Sequence, residues 1–389
     1  MPSSTSSSDL AAEAEPAAEV RPGFVRLTAS DRPGVAQPVP MRDIPPQPWN
    51  RIFVGAMLSA ALLVAGAELY WRSYGATPSY RNSDGAWAAQ RRRIDQGEGG
   101  KTVLIGSSRV LFDLQLPVWQ KEAGQRPIQL ALEGTSALPV LEDLADDPNF
   151  TGRLLVGVTP ALFFSGRVMR GGVVKYFHRE GLTQRTGQWL SSRLLEPFFA
   201  FDDPDFALAT VVQRQPWPAR PGAPSHIDVR KLSVSDADRN THMWKKVEKD
   251  AEYRALARKI WTQTFAPPPP DASAPSPAEM QRIAGEQISR AAAAVTKLRA
   301  RGAQVIFLRL PSAGPFLEFE NRVTPRAQTW DVLLQRTGAP GIHFEDYPQL
   351  QGYTLPEWSH LAASEAERLT AALVPIVEAE LRRHPVAAP

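Results

Sequence analysis

Two short segments of this chain carry side chains that could together perform acyl transfer. The first, Gly106-Ser107-Ser108, directly follows a β-branched and apolar run and precedes sequence that can form a helix. In a parallel α/β sheet, such a strand-to-helix junction lies at the carboxyl edge, where loop backbone can hold a reacting group. The second segment places the Glu357 carboxylate three residues before His360. Ser107 or Ser108 is therefore a candidate nucleophile, with His360 as its base.

The composition is that of a folded protein without disulfides. The chain has 389 residues, of which 43% are hydrophobic, and is long enough to bury the core of one main domain. Its 44 basic and 41 acidic side chains leave a formal charge of +3, a small excess that does not indicate a nucleic-acid partner. Cysteine is absent from the sequence, which excludes thiolate metal sites and a cysteine nucleophile.

The N-terminal region predicts a leader followed by a membrane anchor. Residues 1–50 are rich in Ser, Ala, Pro and acidic side chains, so we expect them to be disordered. Residues 52–67 are apolar and uncharged, and the stretch extended through Tyr70 and Trp71 reaches the roughly 20 residues that cross a hydrocarbon core. Arg51 and Arg72 bracket it, which predicts a transmembrane helix at 51–72. A cleaved signal peptide or a buried helix is the alternative, but the long polar leader favours a transmembrane helix.

The charges that flank this stretch bear on its orientation. Arg42 and Arg51 precede the span, whereas Arg72, Arg81 and the arginines at 91–93 follow it. Counted alone, these charges favour a cytoplasmic position for the C-terminal domain. An extracytoplasmic domain therefore has to be argued from other features.

After the anchor, strand-like and helical patterns alternate along the chain. Residues 73–100 form a connector with a predicted helix at 85–94, for which Asp84 is the expected N-cap. The clearest helical pattern beyond it covers 278–301 and stops at Gly302. The predicted strands are 102–106, 128–132, 154–158, 305–310 and 342–344. This alternation predicts an α/β fold for residues 101–389, a three-layer α/β/α sandwich around a parallel sheet.

The alternation fails between about 165 and 277, which we interpret as an insertion. The stretch is rich in basic and aromatic side chains and closes with a proline-rich run at 267–277, typical of a flexible or polyproline loop. Trp217, Trp244 and Trp261 are candidates for lining a substrate groove. Packing in a small local core is the more common role for such aromatic residues.

The sequence indicates no metal or other cofactor. Three histidines of the insertion, His178, His226 and His242, lack the spacing of metal ligands. We interpret them as solvated or structural side chains.

Four segments, taken in order, resemble the signature blocks of the SGNH/GDSL hydrolases. They are Gly-Ser-Ser at 106–108, Glu-Gly-Thr-Ser at 133–136, Gly-Val-Thr-Pro at 157–160 and Glu-Trp-Ser-His-Leu at 357–361. Each block alone is common, whereas the ordered set is more specific. The resemblance covers about residues 101–164 and 278–380, and is strongest to membrane-anchored SGNH-like proteins found beside polysaccharide O-acylation machinery.

This resemblance implies a role for each of five residues. Ser108 matches the nucleophile, His360 matches the general base, and Glu357 takes the place of the usual Asp. The oxyanion hole would use the backbone N–H groups of Ser108 and Gly134. Thr159 stands where the family has an Asn donor, and its hydroxyl reaches less far. Since a missing oxyanion donor costs about 100- to 1000-fold in rate, slow catalysis or none is compatible with this departure.

Three neighbouring residues complete the predicted site. Ser107 holds the position that the family usually fills with Asp. Arg109 and Arg309 lie at the same predicted sheet edge and are candidates for binding an anionic substrate group. The alternative for both arginines is an ion pair within the protein.

The resemblance implies a membrane-anchored esterase or O-acyltransferase that acts on acetyl or other short acyl esters of cell-envelope glycans. The leader would lie in the cytoplasm and the large domain outside the inner membrane, beside a possible multi-pass membrane acyltransferase as partner. A non-catalytic SGNH-like scaffold of an envelope assembly is the first alternative, favoured by Thr159. An esterase or lipase for small or lipid substrates is the second.

Overall fold

A computed structural model describes residues 46–215, 231–265 and 275–385, and the chain divides into two units, 1–61 and 62–389. Helix α1, Trp49–Ser73, is long and apolar enough to cross a membrane, and none of its residues is buried. This matches the length predicted for the anchor at 51–72. The predicted disordered leader lies almost wholly outside the described residues.

The described part of the second unit combines helices with one main parallel sheet and a small hairpin. The strands are β1 (Thr102–Ile105), β2 (Ile128–Gln129), β3 (Arg153–Gly157), β4 (Ser233–Ser235), β5 (Thr241–Met243), β6 (Gln304–Arg309) and β7 (Gly341–His343). The helices after α1 are α2 (Asp84–Arg93), α3 (Ser108–Asp113), α4 (Leu116–Ala123), α5 (Leu138–Asp146), α6 (Pro160–Phe163), α7 (Gly172–Arg179), α8 (Leu182–Leu194), α9 (Leu208–Gln213), α10 (Lys245–Lys249), α11 (Ala251–Phe265), α12 (Pro277–Ala300), α13 (Gly314–Val323), α14 (Trp330–Thr337) and α15 (Ala363–Arg383).

The main sheet has five parallel strands in the order β2-β1-β3-β6-β7. Leu104 in β1 pairs with Gln129 of β2 on one side and with Leu155 of β3 on the other. The chain therefore winds outward in both directions from the β1–β3 pair. In doubly wound sheets, the point where the strand order reverses is where ligands bind, outside the carboxyl ends of the strands.

Side chains of this sheet alternate between two apolar cores. Val103 and Ile105 pack in a core with residues of α2, α5, α12 and α14. Leu104, between them, packs in a second core with residues of α3, α4 and α15. Helices thus lie against both faces of a parallel sheet, and the predicted α/β architecture is confirmed at that level.

The connector contains the predicted helix, but the N-cap predicted for it was wrong by one residue. The Ser83 hydroxyl accepts a hydrogen bond from the Ala86 N–H at 3.0 Å and caps helix α2. Asp84 is instead the first helical residue, and its carboxylate pairs with the Arg170 guanidinium at 2.5 Å. A serine one position earlier has the extended backbone that a capping residue requires, with a ψ of 164°.

The described part of the 165–277 stretch is folded rather than extended. It supplies helices and the antiparallel hairpin β4–β5. Trp244 is buried in a small local core with Ala76, Phe206 and Tyr253, which is the commoner of the two roles considered for it. Trp217, His226 and most of the proline-rich run lie outside the described residues.

Candidate active site

The first and third sequence blocks meet at the point where the strand order reverses. Ser107 lies just beyond β1 and Thr159 just beyond β3, and these two strands are neighbours. The hydroxyls of Ser107 and Thr159 are hydrogen-bonded to each other, and either can be the donor. The ends of β1 and β3 are therefore joined at this sheet edge by a buried hydroxyl pair.

Close packing of helix α3 against the sheet places Ser108. A Cβ atom at Gly106 would lie 2.5 Å from Val110 Cγ2, so only glycine lets the helix approach the end of β1 this closely. Ser107 is the N-cap residue of α3 and is buried, whereas Ser108 is its first helical residue and is half-buried. Of the two candidate nucleophiles, Ser108 is thus the more accessible.

Helix α3 contacts the fourth sequence block through an aromatic side chain. The ring of Phe112 stacks on the imidazole of His360, with 4.3 Å between the centroids and 28° between the planes. Ser108 is four residues before Phe112, and residues four apart in a helix share one face. The structure therefore brings helix α3, which begins at Ser108, into contact with the segment around His360.

Two hydrogen bonds also join helix α3 to the residues on either side of His360. Arg109 Nε donates to the carbonyl oxygen of Ser359 at 3.2 Å. The backbone N–H of Leu361 donates to Asp113 Oδ1 at 2.9 Å. Helix α3 and residues 359–361 are consequently held side by side along the length of the helix.

Glu357 and His360 form a buried acid–imidazole pair. Glu357 Oε1 lies 2.8 Å from His360 Nδ1 and 2.6 Å from its backbone nitrogen, and both side chains are buried. Trp261 Nε1 donates to the second carboxylate oxygen. Trp358, between the pair, has a left-handed backbone with a φ of 74°, a rare conformation for a non-glycine residue. This turn lets one carboxylate bond both the ring and the backbone of the histidine.

The hydrogen bond to Glu357 determines what His360 can do. Because a carboxylate accepts, Nδ1 carries the proton, and Nε2 of the neutral ring is the acceptor. Nε2 is buried and has no hydrogen-bond partner among the described residues, so it is not bonded to Ser108. An oriented imidazole with an unoccupied Nε2 is the arrangement that a general base requires.

Asp113 is a third ionisable residue here, and the sequence blocks did not indicate it. Its side chain is fully buried, and its Oδ2 atom has no hydrogen-bond partner among the described residues. Burial raises its pKa to about 7, even though His360, the Leu361 N–H and Arg109 favour the charged form. The only sequence signal was a lone carboxylate within an apolar helix.

The glycine of the second block, Gly134, adopts a left-handed backbone conformation. Gly134 is half-buried with a φ of +61°, and a Cβ atom there would lie 2.7 Å from Met169 Sδ. The Arg170 N–H donates to Thr135 Oγ1 at 3.0 Å, and Thr135 also bridges to the backbone of Val168. The start of the 165–277 stretch therefore holds this loop in place.

Arg109 and Arg309 both face a glutamate that sequence analysis missed. Arg109 Nη1 lies 3.0 Å from Glu320 Oε1, and Arg309 Nη2 lies 2.9 Å from Oε2. Burial alone would raise the pKa of Glu320, but the two guanidinium groups outweigh it and lower that pKa. Burial also lowers the pKa of Arg309 to about 10. Both arginines therefore form ion pairs within the protein, which is the alternative role named for them. Substrate binding by either arginine stays a prediction.

Comparison with known proteins adds no family assignment. The sequence matches no protein-family model and no curated protein. The resemblance to SGNH/GDSL hydrolases thus stays a prediction that rests on the four sequence blocks. Among the described residues, no cluster of three or more histidine or acidic side chains is placed to hold a metal ion.

Proposed function

We propose that this protein is a membrane-anchored, SGNH-like serine esterase or O-acyltransferase. The observation that carries the proposal is the buried Glu357–His360 pair, whose free Nε2 lies beside the helix that begins at Ser108. Geometry of this kind defines a nucleophile–base–acid arrangement irrespective of the order of the residues in the chain.

In the proposed reaction, Ser108 Oγ attacks the carbonyl carbon of an ester while its proton moves to His360 Nε2. For this step the two atoms must approach to about 3 Å, and such contacts often tighten only when substrate binds. Glu357 holds the ring and stabilises the imidazolium that forms. Collapse of the tetrahedral intermediate breaks the ester C–O bond, and the leaving oxygen takes the proton from Nε2.

The product of this first half is an acyl-Ser108 ester. A water molecule or a sugar hydroxyl then gives a proton to His360 and attacks the acyl carbon. As the bond between the acyl carbon and Ser108 Oγ breaks, His360 returns the proton to Oγ and restores the hydroxyl. The backbone N–H groups of Ser108 and Gly134 would stabilise the oxyanion in both halves. Thr159 can add a third donor whenever Ser107 is the donor within their hydroxyl pair, because the Thr159 proton is then free.

The substrate class and location follow from the resemblance, with helix α1 as support. We propose acetyl or other short acyl groups on cell-envelope glycans, with the large domain outside the inner membrane and a multi-pass acyltransferase as a possible partner. One helix long and apolar enough to span a bilayer is consistent with this single-pass arrangement.

A non-catalytic scaffold is the second candidate, and one observation favours it. The Thr159 hydroxyl, which stands where the resembled family has its Asn donor, is hydrogen-bonded to the hydroxyl of Ser107. In a scaffold, these groups would have no chemical task and the buried pair would only support the fold.

Hydrolysis of an activated aryl acetate by the full-length chain separates the two candidates. Ser108→Ala and His360→Ala should each lower kcat/KM by about 10⁴-fold or more, and the double variant should lose little beyond that, because the two residues act as one unit. Ser107→Ala should cost far less.

The matched control for the histidine is His343→Asn. His343 is also buried at this sheet edge, but its Nδ1 accepts the Glu345 N–H at 3.3 Å instead of facing a buried carboxylate. This variant should stay active. Wild-type protein without hydrolysis above the His360→Ala level would leave the scaffold as the better account.

A further inference from the structure

Exposed apolar side chains lie in the two chain segments that contact the end of helix α1. Leu194, Leu195, Phe198 and Leu208 are exposed, with fractions from 43% to 78%. We refer to these four residues as the apolar collar. Helix α8, which ends in the collar at Leu194, has no buried residue at all.

Polar contacts fix the collar beside the last turns of α1. The Glu68 carboxylate accepts the backbone N–H groups of Ala200 and Phe201, each at 3.0 Å. Arg72 Nη2 donates to the carbonyl oxygen of Phe198 at 3.0 Å. A residue of the collar is therefore bonded directly to the helix.

Aromatic stacking joins the other part of the collar to the same turn. The ring of Trp71 stacks on Phe206, with centroids 4.6 Å apart and 19° between the planes. Leu208 follows two residues later and is 78% exposed. Both parts of the collar thus lie at the level of residues 68–72.

This level is where the apolar stretch of α1 ends. Residues 52–67 contain no charged side chain, and Glu68 is the first one after them. Tyr70 and Trp71 follow, and aromatic side chains of this type concentrate at the membrane–water interface. If α1 crosses a bilayer, residues 68–72 lie at its surface and the collar lies there with them.

We infer that the apolar collar inserts into the interfacial layer of the bilayer that helix α1 crosses. Lipid is the occupant because the collar is continuous with the span and carries interfacial side chains. Trp189 and Arg193 of helix α8 are both exposed next to it, an aromatic ring and a cation suited to lipid headgroups. The inference rests on the membrane anchor of the proposed function and is independent of its ester chemistry.

The absence of cysteine allows a direct test. Phe198→Cys and Leu208→Cys would each carry a single NBD fluorophore in the full-length chain, reconstituted into phosphatidylcholine–phosphatidylglycerol vesicles. Met280→Cys is the matched control, since Met280 is an exposed apolar residue of helix α12. Each label is then quenched in turn by aqueous iodide and by doxyl-labelled lipid.

The labels at 198 and 208 should be quenched several-fold more by doxyl lipid, and several-fold less by iodide, than the label at 280. Quenching equal to that at 280 in carbonate-resistant, inserted protein would overturn the inference. Protection from both quenchers would also overturn it, because a protein would then cover the collar. Aryl-acetate hydrolysis measured on the same vesicles reports on the ester chemistry separately.

Discussion

Two buried clusters of ionisable side chains contact helix α3, and they differ in how their polar atoms are paired. In the first, each oxygen of Glu320 faces a guanidinium group, from Arg109 or Arg309, within 3.0 Å. In the second, Glu357 orients His360, and the remaining ring nitrogen of the histidine has no hydrogen-bond partner within the described part of the chain. In the first cluster, one carboxylate lies between two guanidinium groups. In the second, one ring nitrogen of the imidazole can accept a proton.

The difference separates a structural role from a chemical one. A buried polar atom without a partner destabilises a fold by roughly 1–3 kcal/mol, so its presence calls for an explanation. Proton transfer supplies one for His360 Nε2. In the described part of the Glu320 cluster, Arg109 Nη1 and Nη2 and Glu320 Oε1 also lack a hydrogen bond, but opposite charges within 3.0 Å stabilise one another there, so a structural role is sufficient.

The largest effect is expected at Glu357. Glu357→Gln keeps the shape of the side chain but no longer favours the Nδ1–H tautomer of His360. We expect kcat for aryl acetate to fall by about 10⁴-fold. Glu357→Asp, which restores the residue usual in the resembled family, should retain much more activity. Equal loss in both variants would show that packing around the side chain, and not its charge, is what matters.

Glu320→Ala should act on stability. Removing this carboxylate leaves two buried guanidinium groups without their counter-charge, which should lower the free energy of unfolding by about 3–5 kcal/mol. Denaturant unfolding measures the change. The control is Glu286→Ala, because Glu286 forms an exposed ion pair with Arg282, and such pairs contribute about 0–1 kcal/mol. Equal unfolding midpoints for both variants would contradict a structural role for Glu320.

Thr159→Val tests the weakened third block. If the Thr159 hydroxyl is an oxyanion donor, kcat should fall by up to about 100-fold with KM nearly unchanged. Ser107→Ala is the matched control, because it removes the same hydroxyl pair but keeps Thr159. Similar losses in the two variants would mean that the pair is structural.

The smallest effect concerns Asp113 and pH. Burial raises the pKa of the Asp113 carboxyl to about 7, whereas the ordinary pKa of an aspartate is 3.8. Between these values the folded state binds more protons at Asp113, so the contribution of this carboxyl to stability falls as pH rises from 4 to 7. Asp113→Asn should remove this contribution and so shift the difference in stability between the two pH values by roughly 1–2 kcal/mol in favour of pH 7, as measured by denaturant unfolding at both. The exposed Asp146, changed to Asn, should leave the pH dependence as in the wild type.

Apolar runs of the sequence predicted the sheet well because every strand is buried on both faces. The strand predicted at 128–132 is the exception, with only Ile128–Gln129 observed. Its main chain still follows β1, as the Leu132 N–H donates to the Gly106 carbonyl at 2.9 Å. On the outer side, Arg239 donates to the carbonyls of Gln129 and Ala131, each at 2.7 Å. Arg239 is more than 100 residues away in the chain, so the sequence around 128–132 could not indicate that it pairs with this edge of the sheet.

The same distance in sequence explains what was missed at the candidate site. Glu357 and His360 are three residues apart, so their spacing alone indicated a pair. Trp261 was named only as a candidate for a substrate groove, because the Glu357 carboxylate to which it donates is 96 residues away in the chain. Asp113 meets Leu361 across 248 residues. Contacts of this kind depend on how the helices pack and leave no local pattern.

The most direct test of the central claim is to identify the residue that a fluorophosphonate modifies. Full-length protein is labelled, digested and mapped by mass spectrometry, alongside the His360→Ala and His343→Asn variants. The account predicts an adduct on Ser108 in the wild type and in His343→Asn, and its loss in His360→Ala. An unlabelled Ser108 in the wild type, or equal labelling of Ser108 without His360, would contradict it.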